Sequence, residues 1–127
     1  EHNPHDGHPT TGARILEERG YPQDMIYAIK AHADYLGLPR EDLMSRTLYA
    51  VDELSGFVVA VALVRPDRSL EGVTVNSVMK KLKSKGFARG VNREDVHRGA
   101  RELGIPLEEH IQNVINALRE REEALGF

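Results

Sequence analysis

Apolar residues in this chain recur three and four positions apart rather than alternating. Met25, Ile26, Ile29 and Ala33 keep that spacing, as do Val75, Val78, Met79 and Leu82, and again Leu107, Ile111, Val114, Ile115 and Leu118. Stripes of this period line one side of an α-helix. Three joints punctuate them, at Gly20-Tyr21-Pro22, Gly37-Leu38-Pro39 and Gly104-Ile105-Pro106. Each places a glycine where a helix ends in left-handed geometry and a proline where the next one begins. The pattern also predicts a helix from Val75 to Lys85, and one capped by Asn92 and Asp95 that runs to Leu103.

The most apolar stretch lies between Leu54 and Val64, where only Ser55 and Gly56 interrupt a run of hydrophobic residues. Its valines suit a strand when Phe57 to Val64 is taken alone. Continuity with the helical pattern of Leu43 to Leu54, and the lack of a second strand to pair with, favour a buried helix. The expected fold is therefore all-α: a flexible segment over residues 1–9, then a single compact helical domain over 10–127 with five to six helices. The loop from Arg65 to Gly72 is its main break. Asp52 stands at the head of the apolar run, and a carboxylate is rarely buried unless it is paired or binds a metal.

A chain of 127 residues with 40% hydrophobic content suits one domain. It has no cysteine, which removes disulfides, thiolate nucleophiles and cysteine-ligated metals, and fits a cytoplasmic protein. The apolar run falls short of the ~20 residues that span a bilayer, so no membrane segment is expected. The opening Glu1-His2-Asn3-Pro4 lacks the charged start and apolar centre of a signal peptide, and reads as the result of processing or as a start inside a longer protein.

Six histidines are present. His2, His5 and His8 crowd the beginning, and His97 and His110, with charged neighbours on their helices, read as surface residues. His8 precedes Pro9 at a loop-to-helix joint, and His32 lies near the end of the next helix. Neutral imidazole is a common metal ligand, and a carboxylate from a buried helix is a natural companion to it. His8, His32 and Asp52, on three successive helical elements, thus form a candidate metal face.

Three motifs give this face a context: H-P-T-T-G-A-R-I-L at His8 to Leu16, A-I-K-A-H-A-D-Y at Ala28 to Tyr35, and Y-A-V-D-E-L-S-G-F at Tyr49 to Phe57. In this order they resemble the HD superfamily of metal-dependent phosphohydrolases, and most of all its predicted bacterial HD-domain hydrolases, which V-N-S-V-M-K-K-L-K-S-K-G-F-A-R-G-V-N-R-E-D from Val75 also resembles. The likeness covers the chain from His8 onward. It implies a divalent metal ion (Mn, Fe, Mg, Zn, Ni or Co), with Asp52 as the closing aspartate, His8 and His32 as intervening histidines, and Asp34 as a group that stands behind a ligand or beside the substrate. The family's first histidine and its His-Asp doublet are expected upstream of Glu1. His5-Asp6 spells the doublet without the apolar helix that would hold it. The chain thus resembles the family minus its first helices.

The implied chemistry is hydrolysis of a phosphate ester, including nucleotides, by metal-activated water. No Gly-x-x-x-x-Gly-Lys loop is present, so P-loop nucleotide binding is not supported. Cations for a phosphate concentrate between Asn76 and Arg101, where Lys80, Lys81, Lys83, Lys85, Arg89, Arg93, Arg98 and Arg101 face only Glu94 and Asp95, within a chain of net charge −3. Lys80, Lys81 and Lys85 are the phosphate-contact candidates; Lys83 and Arg98 read as a solvated helix face. The acidic whole favours a small phosphorylated ligand over nucleic acid. The alternative reading is a catalytically incomplete helical module for protein interaction or regulation. A homodimer would cover apolar surface left by absent helices.

Overall fold

In the computed structural model, which describes residues 7–127, every regular element is helical. Among the described residues there are six α-helices: α1 (Thr10–Glu18), α2 (Gln23–Ala31), α3 (Leu43–Leu63), α4 (Val75–Leu82), α5 (Arg93–Leu103) and α6 (Leu107–Arg119), with a 3-10 turn at Asp34–Leu36. The valine-rich run is helix as far as Leu63, the last two turns of α3. None of these helices is long and apolar enough to cross a membrane. The chain divides into two units, Glu1–Tyr49 and Ala50–Phe127, so that residues 43–49 of α3 belong to the first and 50–63 to the second. Residues 1–6 of the expected N-terminal segment, with the His5-Asp6 pair, lie outside the described residues; Gly7 and Pro9 are buried.

In the first unit α1 packs against α2. Their joint follows the sequence expectation. Gly20 takes φ 78°, a value that costs a residue with a Cβ but not glycine, and the Tyr21 N–H returns to the Leu16 carbonyl at 3.1 Å. Pro22 then starts α2, its carbonyl accepting from the Ile26 N–H. The second joint departs from expectation. Gly37 is left-handed, but it closes the 3-10 turn, and Pro39 begins no helix. The start of α3 falls to Asp42, whose Oδ2 accepts the Ser45 N–H (3.1 Å) while its Oδ1 accepts the Ser45 hydroxyl (2.6 Å). This cap satisfies a first-turn amide that a proline three residues earlier cannot reach. The Ser45 hydrogen bonds hold the Asp42 carboxyl below its ordinary pKa. The intervening Pro39 and Arg40 carbonyls accept from the Tyr27 hydroxyl and the Arg46 Nε–H.

In the second unit Leu54, Phe57, Val58 and Val61 of α3 form a core with Leu70, Ile111 and Ile115. Helix α6 packs on both α4 and α5. Thr74 and Ser77 exchange side-chain and backbone hydrogen bonds (3.1 and 2.9 Å) in a capping box that starts α4. Asn92 caps α5 by accepting the Asp95 N–H at 3.1 Å, and Gly104 ends it with φ 73°. Helix α4 stops at Leu82, three residues before the expected Lys85, because the carbonyls of Leu82 and Ser84 accept from the Arg93 guanidinium. The loop after α3 is held likewise: Arg119 donates to the carbonyls of Leu70, Glu71 and Val73.

Two sequence expectations are corrected here. His110 is buried, not a surface residue, and its Nε2 lies 2.9 Å from the Ala50 carbonyl oxygen. It belongs to the apolar stripe of α6, three residues after Leu107 and four before Val114. Burial of imidazole is acceptable because that hydrogen bond is made. Asp52 is exposed. The buried face of α3 runs through Leu54, Phe57, Val58 and Val61, which leaves Asp52, Gly56 and Leu63, spaced four and seven apart, on the outer face. No desolvation penalty therefore demands a partner for Asp52.

Candidate metal centre

The first unit brings two of the expected ligands together. His8 sits in the turn that leads into α1, with its ring exposed beside the buried Pro9. His32 is the C-terminal cap of α2, its N–H bonded to the Ala28 carbonyl. Because α1 and α2 form an antiparallel hairpin, residues 24 positions apart meet: the two Nε2 atoms are 3.2 Å apart. The rings stand edge to face, 72° apart with centroids at 5.1 Å. An open depression of about 350 Å³ adjoins His8, lined by Gly7, Pro9, Gly12, Leu16 and Ile29 among others.

The partner of the second ring nitrogen sets the chemistry of His32. Its Nδ1 faces the Ile29 carbonyl oxygen, which only accepts, so the assigned tautomer carries its proton on Nδ1 and leaves a lone pair on Nε2. A backbone carbonyl on the far nitrogen is the usual device that orients a metal-ligating histidine and raises its basicity. The spacing also fits. Two imidazoles each about 2.0–2.1 Å from one cation, at angles between 90° and tetrahedral, have nitrogens about 2.9–3.4 Å apart. The observed 3.2 Å lies within that interval. Among the described residues no group of three or more His, Asp or Glu side chains gathers as a metal ion requires, so the pair stands as two donors.

Asp34, two residues beyond His32, is engaged elsewhere. Its Oδ1 lies 3.1 Å from Arg40 Nη1, and its Oδ2 lies 3.5 Å from the Tyr49 hydroxyl. The Arg40 side chain is only 9% exposed, and its guanidinium also donates to the Ala31 carbonyl (2.8 Å) and stacks 3.7 Å from the centre of the Tyr49 ring. Asp34 thus anchors the segment that follows His32, through a cation that is buried and stacked as arginine suits.

Asp52 belongs to the second unit. Its backbone carbonyl accepts from the Ser55 hydroxyl at 3.3 Å. The neighbouring Glu53 has its pKa raised, first by burial and then by the charges of Asp52 and Asp95, against one backbone hydrogen bond from Asn92. A carboxyl raised above its unfolded value favours the fold while protonated, and that contribution is lost as pH climbs through the folded pKa. In chelator-treated protein Glu53→Gln should therefore raise the melting temperature at pH 7, with the gain vanishing below about pH 4, where Glu53 is protonated in both states. An equal gain at both pH values would refute this electrostatic origin.

The phosphate-contact candidates Lys80 and Lys81 lie on α4 and Lys85 in the loop after it. Lys80 and Lys85 are exposed, whereas Lys81 Nζ sits 4.9 Å from the centre of the Phe87 ring. Two residues with strong roles escaped the sequence reading. Arg93 counts as a surface cation by composition but turns inward, and nothing local signals this. His110 was legible from its place in the α6 stripe. Compared with protein-family models, curated proteins and solved structures, the chain finds no match in any of the three.

Proposed function

We propose that this chain contributes to a divalent-metal phosphohydrolase site of the HD kind, with His8 and His32 as two of the ligands and a small phosphorylated molecule as substrate. The observation that supports this reading is the imidazole pair, at ligand-to-ligand spacing and with the His32 ring oriented by the Ile29 carbonyl. A bound divalent cation supplies Lewis-acid charge to a phosphate oxygen and lowers the pKa of water to near neutrality. The chain's own part is positional. The α1–α2 hairpin holds both donors, Ile29 fixes the tautomer of His32, and the Asp34–Arg40–Tyr49 cluster pins the backbone just beyond it. The resemblance names Asp52 as well, but that residue belongs to the second unit, and this reading does not depend on it.

Titration of the purified chain with Co²⁺, followed by visible absorption and calorimetry, tests the proposal. The wild type should bind, and His8→Ala and His32→Ala should each weaken binding by at least ~100-fold, more than the loss of a mere orienting contact. Release of phosphate from p-nitrophenyl phosphate should fall in parallel. A chain that binds no metal at millimolar Co²⁺, or whose affinity survives both histidine substitutions, would sink the reading and leave the helical interaction module.

A further inference from the structure

Between Glu71 and Glu94 the chain carries no carboxylate, yet it carries Lys80, Lys81, Lys83, Lys85, Arg89 and Arg93; its other 11 of 17 basic residues share the sequence with all 20 acidic ones. Charge is thus polarised within an acidic protein. Two of the six are engaged by the fold: Lys81 lies over the Phe87 ring, and Arg93 is turned inward. Arg93 donates to the carbonyls of Leu82, Ser84, Phe87, Ala88 and Val91. The loop from 83 to 92 is wrapped around its guanidinium, with carbonyls inward. Lys80, Lys83, Lys85 and Arg89 are exposed, and none of the four meets a carboxylate among the described residues. Natural surfaces mix charge signs, and an unneutralised cationic stretch repels itself until an anion relieves it.

We propose that the stretch from Lys80 to Arg89 is a contact surface for the phosphate backbone of a nucleic acid. Lys80 lies on α4, Lys83 caps its end, and Lys85 and Arg89 follow in the loop, so the exposed cations succeed one another along the chain. Lys80 and Lys83 also border a shallow depression of about 450 Å³ with Thr74, Asn76, Ser77 and Met79. No large exposed hydrophobic residue lies between Glu71 and Glu94. An acidic protein partner wants aromatic or aliphatic anchors, and a lipid surface wants residues to insert. A phosphodiester backbone wants cations alone. Phe87 offers no face for base stacking, since its ring packs edge to face on Phe57 at 5.5 Å beneath Lys81. Binding is therefore sequence-independent. Net charge argued against nucleic acid; the segregation of charge reverses that argument. The surface does not rest on the metal reading.

Fluorescence anisotropy with a labelled 20-base-pair duplex of mixed sequence tests it. Four phosphate contacts give a slope of about −3.6 in log affinity against log salt, roughly a 150-fold loss between 50 and 200 mM. The double substitution Lys83→Glu with Lys85→Glu, at exposed positions, should leave helicity and melting temperature unchanged while binding at 50 mM salt falls by at least ~10-fold and the slope is roughly halved. His32→Ala should bind like wild type. Absence of duplex binding at 50 mM, indifference to the double substitution, or a loss in His32→Ala would overturn the proposal. So would equal or tighter binding of polyglutamate or of vesicles rich in phosphatidylserine.

Discussion

Arg93→Ala is expected to lower the folding free energy by about 3 kcal/mol, seen as a shift of the urea midpoint and a fall of about 10 °C in melting temperature. The guanidinium donates through Nη1 to Ala88 (2.7 Å) and Val91 (3.2 Å), through Nη2 to Ser84 (3.1 Å) and Phe87, and through Nε to Leu82 (3.5 Å). It also lies 5.0 Å from the centre of the buried Phe57 ring. A charged donor to a carbonyl contributes about 1.5–3 kcal/mol where the acceptor is buried, and much less where water can replace it. The exposed Ser84 bond and the long Leu82 bond contribute least, so a full sum over five bonds would overshoot. Arg93→Lys should recover less than half of the loss, because a single ammonium cannot reach carbonyls on opposite sides of the loop. A loss below about 1 kcal/mol for Arg93→Ala would show that the loop holds its shape without the guanidinium.

Arg93 also marks where sequence reasoning stops. The joints at Gly20 and Gly104 were legible because a left-handed residue and the carbonyls it frees lie within one turn of chain. So were the stripes of α4 and α6, since period alone reports which face is buried; in α2 the buried face is Ile26, Ala28 and Ala31, while Met25 of the expected stripe is exposed. The end of α4 was not legible, because it is set by a guanidinium 11 residues downstream of Leu82. His110 depends on a carbonyl 60 residues away. Asp52 was placed by proximity to an apolar run, whereas its exposure follows from its phase on α3. The candidate site divides the same way. Motifs nominated His8 and His32, but only the folded hairpin supplies their 3.2 Å separation and the Ile29 carbonyl that fixes a tautomer. Asp34 was nominated to stand behind a ligand or beside the substrate and is held by Arg40, a partner no spacing rule proposed.

Gly99→Ala should cost about 3 kcal/mol, although alanine is normally the better helix former by about 1 kcal/mol. A Cβ built at Gly99 would stand 2.6 Å from the Ala50 Cα and 3.0 Å from its Cβ. The nearest atom is backbone, so α3 and α5 must separate in a core where interiors tolerate little strain. Their separation also disturbs the Ala50 carbonyl, the partner of a His110 ring that is 2% exposed. A buried imidazole deprived of that bond adds its own desolvation penalty. Gly56→Ala is the control within the same protein. That glycine sits in the middle of α3, is exposed, and a Cβ there meets nothing within 4 Å, so a gain of about 0.5–1 kcal/mol is expected. Ala50→Gly introduced beside Gly99→Ala should rescue little, because the clash is with Cα rather than with the methyl group it removes. Substantial rescue in thermal unfolding would assign the close approach to side-chain packing and refute a backbone contact between the two helices.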